Sequence, residues 1–230
     1  MHEFAASSVF FGVFISLSAY FAGLMIKQKT KLSIMNPLLI AVALVIALLS
    51  LFEIPYEAYN QSAKLLSSLL TPATICLAVP LYEQLALLKK HKAAIFAGIL
   101  SGVITSLVCV LALSLLFNLD HATYITLLPK SITTAIGMGV SEKLGGYVSI
   151  TVAVIIITGI LGNMIAETVC RIFCITEPVA RGVAIGTASH AIGTAKAMEL
   201  GQIEGAMSSL SIVISGILTV AGASFFAPLL

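Results

Sequence analysis

The chain has 230 residues, 59% of them hydrophobic and only 10% charged, with a mean hydropathy of +1.10 and a formal net charge of +2. A soluble domain carries about 25% charged residues, so a water-soluble globule is excluded. The small net charge, with no basic stripe interleaved with aromatics, excludes a nucleic-acid binder, and the lack of apolar/polar alternation over about ten-residue segments excludes an outer-membrane barrel.

What is left is an all-α polytopic membrane protein. Crossing a hydrocarbon core takes roughly 20 helical residues, and five uncharged runs reach that length: Phe4–Ile26, Leu32–Phe52, Ala93–Leu119, Gly145–Ala166 and Gly205–Leu230. The first follows MHEF with no basic n-region and exceeds the apolar core of a signal peptide, so it is expected to remain in the mature protein. Lys27, Lys29 and Lys31 follow it, and Lys89, Lys90, His91 and Lys92 precede the third run. The bias of Lys and Arg toward cytoplasmic loops puts both clusters inside and the N-terminus outside.

The chain between these clusters must then cross over Lys64–Gln84, a segment interrupted by Thr71-Pro72 and Pro80. Two more segments are interrupted in the same way: Tyr124–Leu144 by Pro129, Gly137 and Gly139, and Val179–Leu200 by Gly182, Gly186 and Gly193. In all three a Thr or His stands nine residues before a Glu: Thr74 and Glu83, Thr133 and Glu142, His190 and Glu199. ILSG at 99–102 returns as VISG at 213–216, about 114 residues on. These echoes predict two pseudo-repeated halves, 1–115 and 116–230, with a finer unit of about 57 residues. Whether the halves are parallel or inverted stays open. Eight straight crossings would put Arg171 and Arg181 outside, against the charge bias, whereas a re-entrant interrupted segment brings them inside, so seven to eight transmembrane segments are expected.

Backbone freed by Pro or Gly in mid-membrane must be buried in protein or line a wet cavity, and paired broken segments mark the midplane sites of transporters. Lys130, Ser131, Thr133 and Thr134 follow Pro129, where a helix start with free N–H groups, an ammonium and hydroxyls would hold an anion; the plainer alternative is a lysine snorkelling to the interface. Thr187, Ser189 and His190 cluster at the third break. With an ordinary pKa of about 6.5, His190 could carry a proton; the alternative is an imidazole bridging helices by hydrogen bonds. Lys196 is expected at a solvated cavity wall or the cytoplasmic end, paired with Glu199 or Glu204, and Glu167 with Arg171 forms an i,i+4 pair. Cys170 and Cys174 lack further ligands for a metal, no cofactor motif is present, and no Ser-His-Asp, HExxH or Walker pattern suggests an enzyme.

The runs EPVARGVAIGTASHAIGTAKAMELGQIEGAMSSL (177–210), LLPKSITTAIGMGVSEKLGG (127–146) and LLTPATICLAVPLYEQL (69–85) resemble the LrgB/CidB family of bacterial inner-membrane proteins over nearly the whole chain. Lys196 stands where the family pattern has Arg, and Ala135 where it has Pro. The resemblance implies a smaller LrgA/CidA-type membrane partner. It also implies either transport of a small organic anion such as pyruvate or glycolate, as in the plastid glycolate/glycerate relatives, or a holin/antiholin-like control of murein hydrolase export and autolysis. The expectation drawn from the residues is a small-carboxylate permease subunit working by alternating access, its site built from Lys130, Ser131, Thr133, Thr134, Thr74, Thr187, Ser189 and His190. A homodimer is expected on base rates.

Overall fold

The computed structural model describes residues 10–30, 35–76 and 78–230, apart from the side chains of Leu70 and Thr74. Lys31 and the first residues of the Phe4–Ile26 and Leu32–Phe52 runs lie outside the described residues. Among the described residues all regular structure is helical, as hydrocarbon demands of a chain that must satisfy its own backbone. Five helical stretches are long and apolar enough to cross a membrane: Phe11–Thr30, Tyr56–Glu83, Leu85–Leu116, Val148–Ile172 and Gln202–Leu229. The chain is a multi-pass membrane protein.

Residues 1–76 and 77–230 form separate compact units. In the first, helix α1 (Phe11–Thr30) packs on α2 (Pro37–Leu51) through Ala19, Ala41 and Val45. Asn36 caps α2, its Oδ1 accepting from Leu38 N at 2.8 Å, and Pro37 occupies the first helical position, where its missing N–H costs nothing. Gly12 lets α3 (Tyr56–Ser68) approach α1 closely enough for Gly12 N to donate to Ser62 Oγ at 2.8 Å. In the Lys64–Gln84 segment α3 gives way at a turn at Leu69 to α4 (Leu70–Cys76), and α5 (Ala78–Glu83), in the second unit, ends at a turn at Gln84. Pro72 falls in the first turn of α4, where proline is tolerated.

Three long helices frame the second unit: α6 (Leu85–Leu116), α9 (Val148–Ile172) and α11 (Gln202–Phe226), the last closed by a 3₁₀ turn at Ala227–Leu229. Between them lie two short-armed elements. The first is α7 (His121–Leu127) and α8 (Thr134–Leu144) joined by a turn over 128–133. Its arms run antiparallel. A Cβ on Gly137 would stand 3.6 Å from the Pro129 carbonyl, and one on Gly146 3.0 Å from Thr126 N.

The second is α10 (Pro178–Leu200), which breaks at His190, where φ is 42° and ψ −140°. In a straight helix residues eight apart are separated by about 12 Å. Here a Cβ on Gly193 would lie 3.2 Å from Ile185 O, so the second arm (191–200) folds back along the first (178–189). Both neighbours agree. On α9, Gly162 meets Ser189 and Ala166 clusters with Ile185, an antiparallel register, whereas Asn163 meets Ile192 and Glu167 meets Lys196 in parallel. On α11, Gly182 and Gly186 meet Glu204 and Ser208 in parallel, whereas Thr194 and Met198 meet Ser208 and Gly205 antiparallel. The arms of both hairpins, 7 and 11 residues in one and 12 and 10 in the other, extend roughly 10–18 Å, well short of the ~30 Å hydrocarbon core.

The hairpins enter from opposite ends. The first follows the C-terminal end of α6, and its Tyr124 hydroxyl donates to Phe226 O at 2.8 Å. The second has its base beside the N-terminal end of α6, where His91 and Ala94 share a cavity with Glu177 and Ala180. Along α6, Gly98 faces Val183, Gly102 faces Thr187 and Leu107 faces Gly222, so α6 and α11 run the same way and α9 runs against them. Arg171 and Arg181 therefore lie at the same end of this unit as Lys89, Lys90 and Lys92.

Small residues allow these approaches, since lipid gives helices no hydrophobic reason to associate and close van der Waals packing must supply it. Gly182 and Gly186 bed α10 on the α11 backbone, and Gly159 and Gly162 bed His190 and Ser189 on α9. Around them α6 buries Ile95, Ile99, Val103, Leu107 and Val110, a stripe at helical spacing, against α11 and the first hairpin. Helices α2, α6 and α9 end on non-glycine residues with positive φ, namely Glu53, Asn118 and Cys174, each closed by a 6→1 bond such as Ile175 N to Cys170 O at 2.8 Å.

Two predictions follow from this packing. A Cβ at Gly186 would collide with the Ser208 backbone, while one at Gly139 meets nothing within 4 Å. In detergent, Gly186→Ala should lower thermal stability by about 1–3 kcal/mol, and Gly139→Ala should leave it unchanged or raise it by about 0.5–1 kcal/mol. At the start of α7, Asp120 accepts from the Thr123 hydroxyl at 2.5 Å and from its amide at 3.2 Å, and the hydroxyl bond is the main cause of a carboxyl pKa below the ordinary value. A depressed pKa stabilises the fold above the unfolded-state pKa of about 3.9 and is lost as pH falls through the folded value. Acid titration of thermal stability should therefore show Thr123→Val less stable near neutrality, with the difference from wild type vanishing at the lowest pH.

Candidate functional site

The two hairpin tips meet at mid-height of the second unit, on consecutive turns of one face of α6. At the first tip, Lys130 N and Ile132 N bond back to Leu127 O and Pro129 O, forming a tight turn from which α8 starts at Thr134, four residues later than expected after Pro129. Within it Lys130 Nζ donates to Ser131 Oγ at 3.0 Å, and Ser131 Oγ lies 3.2 Å from Ser106 Oγ on α6. Ser131 is buried and Lys130 half-buried. Thr133 is the N-cap residue of α8, but its side chain makes no capping bond. The first intrahelical amide is Gly137 N, bonded to Thr133 O at 2.9 Å. The amides of Thr134, Ala135 and Ile136 thus lie at the positive end of the helix dipole with no partner in the helix.

At the second tip Thr187 faces α6, its methyl against Gly102, one helical turn from Ser106. Thr187 is 7% exposed, and among the described residues its Oγ1 has no hydrogen-bond partner. A buried hydroxyl left unsatisfied costs about 1–3 kcal/mol. Positions that carry such a cost in a native protein call for a water, an ion or a ligand.

His190 takes a different direction. Its ring reaches α9, where Nε2 lies 3.0 Å from Ile155 O. A carbonyl only accepts, so Nε2 carries the proton and Nδ1 is the atom that can gain or lose one. The interaction also satisfies backbone at the break. The freed His190 carbonyl accepts from Thr194 Oγ1 at 3.0 Å, and that hydroxyl lies 2.7 Å from Ser208 Oγ on α11. Ile155 links the two tips, since its side chain presses on Gly137 in α8 while its carbonyl receives His190.

Of the expected residues, the fold brings Lys130, Ser131 and Thr187 to one face of α6 and sets Thr133 and Thr134 at the adjoining helix start. Ser189 faces α9, packed on Gly162 and Gly193, away from the Thr187 side. Thr74 belongs to the first unit, in α4, and its side chain lies outside the described residues. Lys196 pairs with Glu199 at 3.2 Å and with Glu167 at 3.5 Å. Glu204 instead folds back beside Gly201, and the partner of Glu167 is Lys196 rather than Arg171. Sequence reasoning passed over Ser106, Ser208 and Asn163. Asn163 Nδ2 donates to Ile192 O at 2.9 Å, next to the break. An amide inside an apolar span is a signal that could have marked it. Among the described residues no group of three or more His, Cys, Asp or Glu is placed to hold a metal ion.

If the first tip rests on α6 as described, Ser106→Cys with Ser131→Cys, in a chain whose native cysteines are replaced, should form a disulfide on mild oxidation. The shift on non-reducing gels should be absent for either single replacement.

Residues 16–229 match the LrgB-like family. The chain is similar to protein YwbG of Bacillus subtilis (strain 168), 35% identical over 213 residues that cover 93% of this chain and 95% of YwbG. It is also similar to the antiholin-like protein LrgB of Bacillus mycoides (strain KBAB4) and of Bacillus cereus (strain B4264), each 36% identical over 220 residues, covering 95% of this chain and 96% of theirs. No solved structure matches. The chain belongs to the LrgB-like family.

Proposed function

We propose that the two hairpin tips form a chamber that binds a small organic carboxylate, which the protein carries across the membrane by alternating access. The observation that supports this most is the juxtaposition on α6 of an ammonium-bearing turn, Lys130-Ser131, with the unpartnered hydroxyl of Thr187. Lys130, Ser131 and the free amides at Thr134 would hold the carboxylate, with Thr133 lining the same helix start. Thr187 would take a second oxygen, and Ser189 would seat the tip against α9. Thr74 remains a candidate from the first broken segment. His190, hydrogen-bonded through Nε2, would exchange a proton at Nδ1 and so couple transport to a proton gradient.

Both hairpins would be re-entrant, each opening the chamber toward its own side of the membrane. The end bearing Lys89, Lys90, Lys92, Arg171 and Arg181 would face the cytoplasm of a bacterial inner membrane, with the N-terminus outside. In this arrangement the second half holds two units of about 57 residues, each a broken hairpin followed by a long helix, related to one another by inversion. The working assembly would include an LrgA/CidA-type subunit, with this chain a homodimer. The similarity to the antiholin-like Bacillus proteins favours a second reading, an antiholin-like regulator, which by the family resemblance would act on murein hydrolase export and autolysis.

Uptake of labelled pyruvate and glycolate into proteoliposomes under an inward proton gradient, with and without the smaller partner, separates these readings. Saturable, gradient-dependent uptake is expected. Lys130→Gln should reduce uptake at limiting substrate by about 10–100-fold, the equivalent of one charge-assisted hydrogen bond of about 1.5–3 kcal/mol. His190→Gln should remove the gradient dependence. Uptake unaffected by both replacements would overturn the site, and no uptake by folded protein with its partner would favour the regulatory reading.

A further inference from the structure

A polar cavity of about 290 Å³ lies at the base of the second hairpin, away from the tips. The last turn of α9, the linker that follows it and both arms of α10 enclose it. Arg171 comes from α9, Thr176 from the linker, and Arg181 and Leu200 from the two arms. Arg181 Nε donates to Ile175 O at 2.7 Å, which fixes the guanidinium plane and leaves its terminal nitrogens for another acceptor. Glu167 also lines the cavity, but its carboxylate lies 3.5 Å from Lys196 Nζ and is answered there. Among the described residues no carboxylate lies within ion-pair distance of either arginine.

Two guanidinium groups around one small cavity repel each other unless an anion joins them. Guanidinium forks match the oxygens of a phosphate two at a time, so two arginines suit a phosphoryl group, whether the dianion of free phosphate or the monoanion of a lipid phosphodiester. We propose that this cavity is a binding site for a phosphoryl group, presented by an anionic lipid headgroup or as free phosphate. Its occupant would tie the end of α9 to the first arm of the second hairpin and so hold the base of that hairpin closed. This site requires nothing of the chamber at the tips.

Cys174 lines the same cavity and is exposed, so the unaltered protein carries its own reporter; Cys76, exposed in the first unit, serves as the control. Alkylation of each cysteine of the purified full chain by N-ethylmaleimide would be followed by mass spectrometry. One arm uses uncharged detergent with inorganic phosphate, chloride or glycolate at equal ionic strength. The other uses vesicles of phosphatidylcholine alone or mixed with phosphatidylglycerol. A filled site should slow labelling of Cys174 about fivefold or more at several times the dissociation constant, with Cys76 unchanged. Protection by phosphate in detergent assigns a free phosphate, and protection only in phosphatidylglycerol vesicles assigns a lipid headgroup. Arg171→Gln and Arg181→Gln should each abolish protection and Arg181→Lys should retain part of it. Wild-type protein unprotected in both arms, or protected equally by glycolate, overturns the proposal.

Discussion

A backbone carbonyl or amide released in the middle of a bilayer finds no water, and the rest of this structure is organised around that constraint. Both broken segments of the second unit are packed against neighbouring helices, and at the second break the freed groups are met by neighbours. At His190 the ring donates to Ile155 O, the His190 carbonyl accepts from Thr194, and Asn163 caps Ile192 O. A residue with φ of 42° inside a membrane helix persists only where its surroundings over-determine it. Here the surroundings are α9 and α11, brought within backbone distance by glycines that leave no side chain in the way.

That burial has a consequence for function. Two hairpins too short to cross, entering from opposite ends, leave their tips facing each other at mid-height, where an aqueous ligand can be held away from either surface. The tips differ in chemistry. One offers an ammonium, hydroxyls and helix-start amides; the other offers an unpartnered hydroxyl and a protonatable ring. Ile155 touches both through different atoms, so a shift of α9 would be felt at both tips.

Charge follows the same geometry. Once α10 folds back on itself, Arg171 and Arg181 stand at the same end of their unit as the Lys89–Lys92 cluster, and the conflict that eight straight crossings created disappears. The ion pairs near that end, Lys196 with Glu167 and Glu199, join the second arm to α9, and among the described residues no carboxylate is within ion-pair distance of the arginines.

The helical membrane class, the positions of the long helices and the three interrupted segments were legible from composition, uncharged run length and the placement of Pro and Gly, because hydrocarbon admits so few backbone solutions. Lys130, Ser131 and Thr187 stood out for the same reason: polar side chains are costly in such segments. The direction each side chain takes was not legible. Ser189 and Thr187 are two residues apart on one helix arm, yet one packs on α9 and the other on α6, and no spacing rule says which helix lies on which side. Nor could a helical stretch of 23 residues reveal that it doubles back, since a single backbone torsion at His190 decides it. By itself the sequence determined that this chain lives in a membrane with broken helices carrying polar groups. Only the tertiary structure decided that the breaks are hairpin tips meeting from opposite ends, because that depends on which glycine surfaces close on which helix.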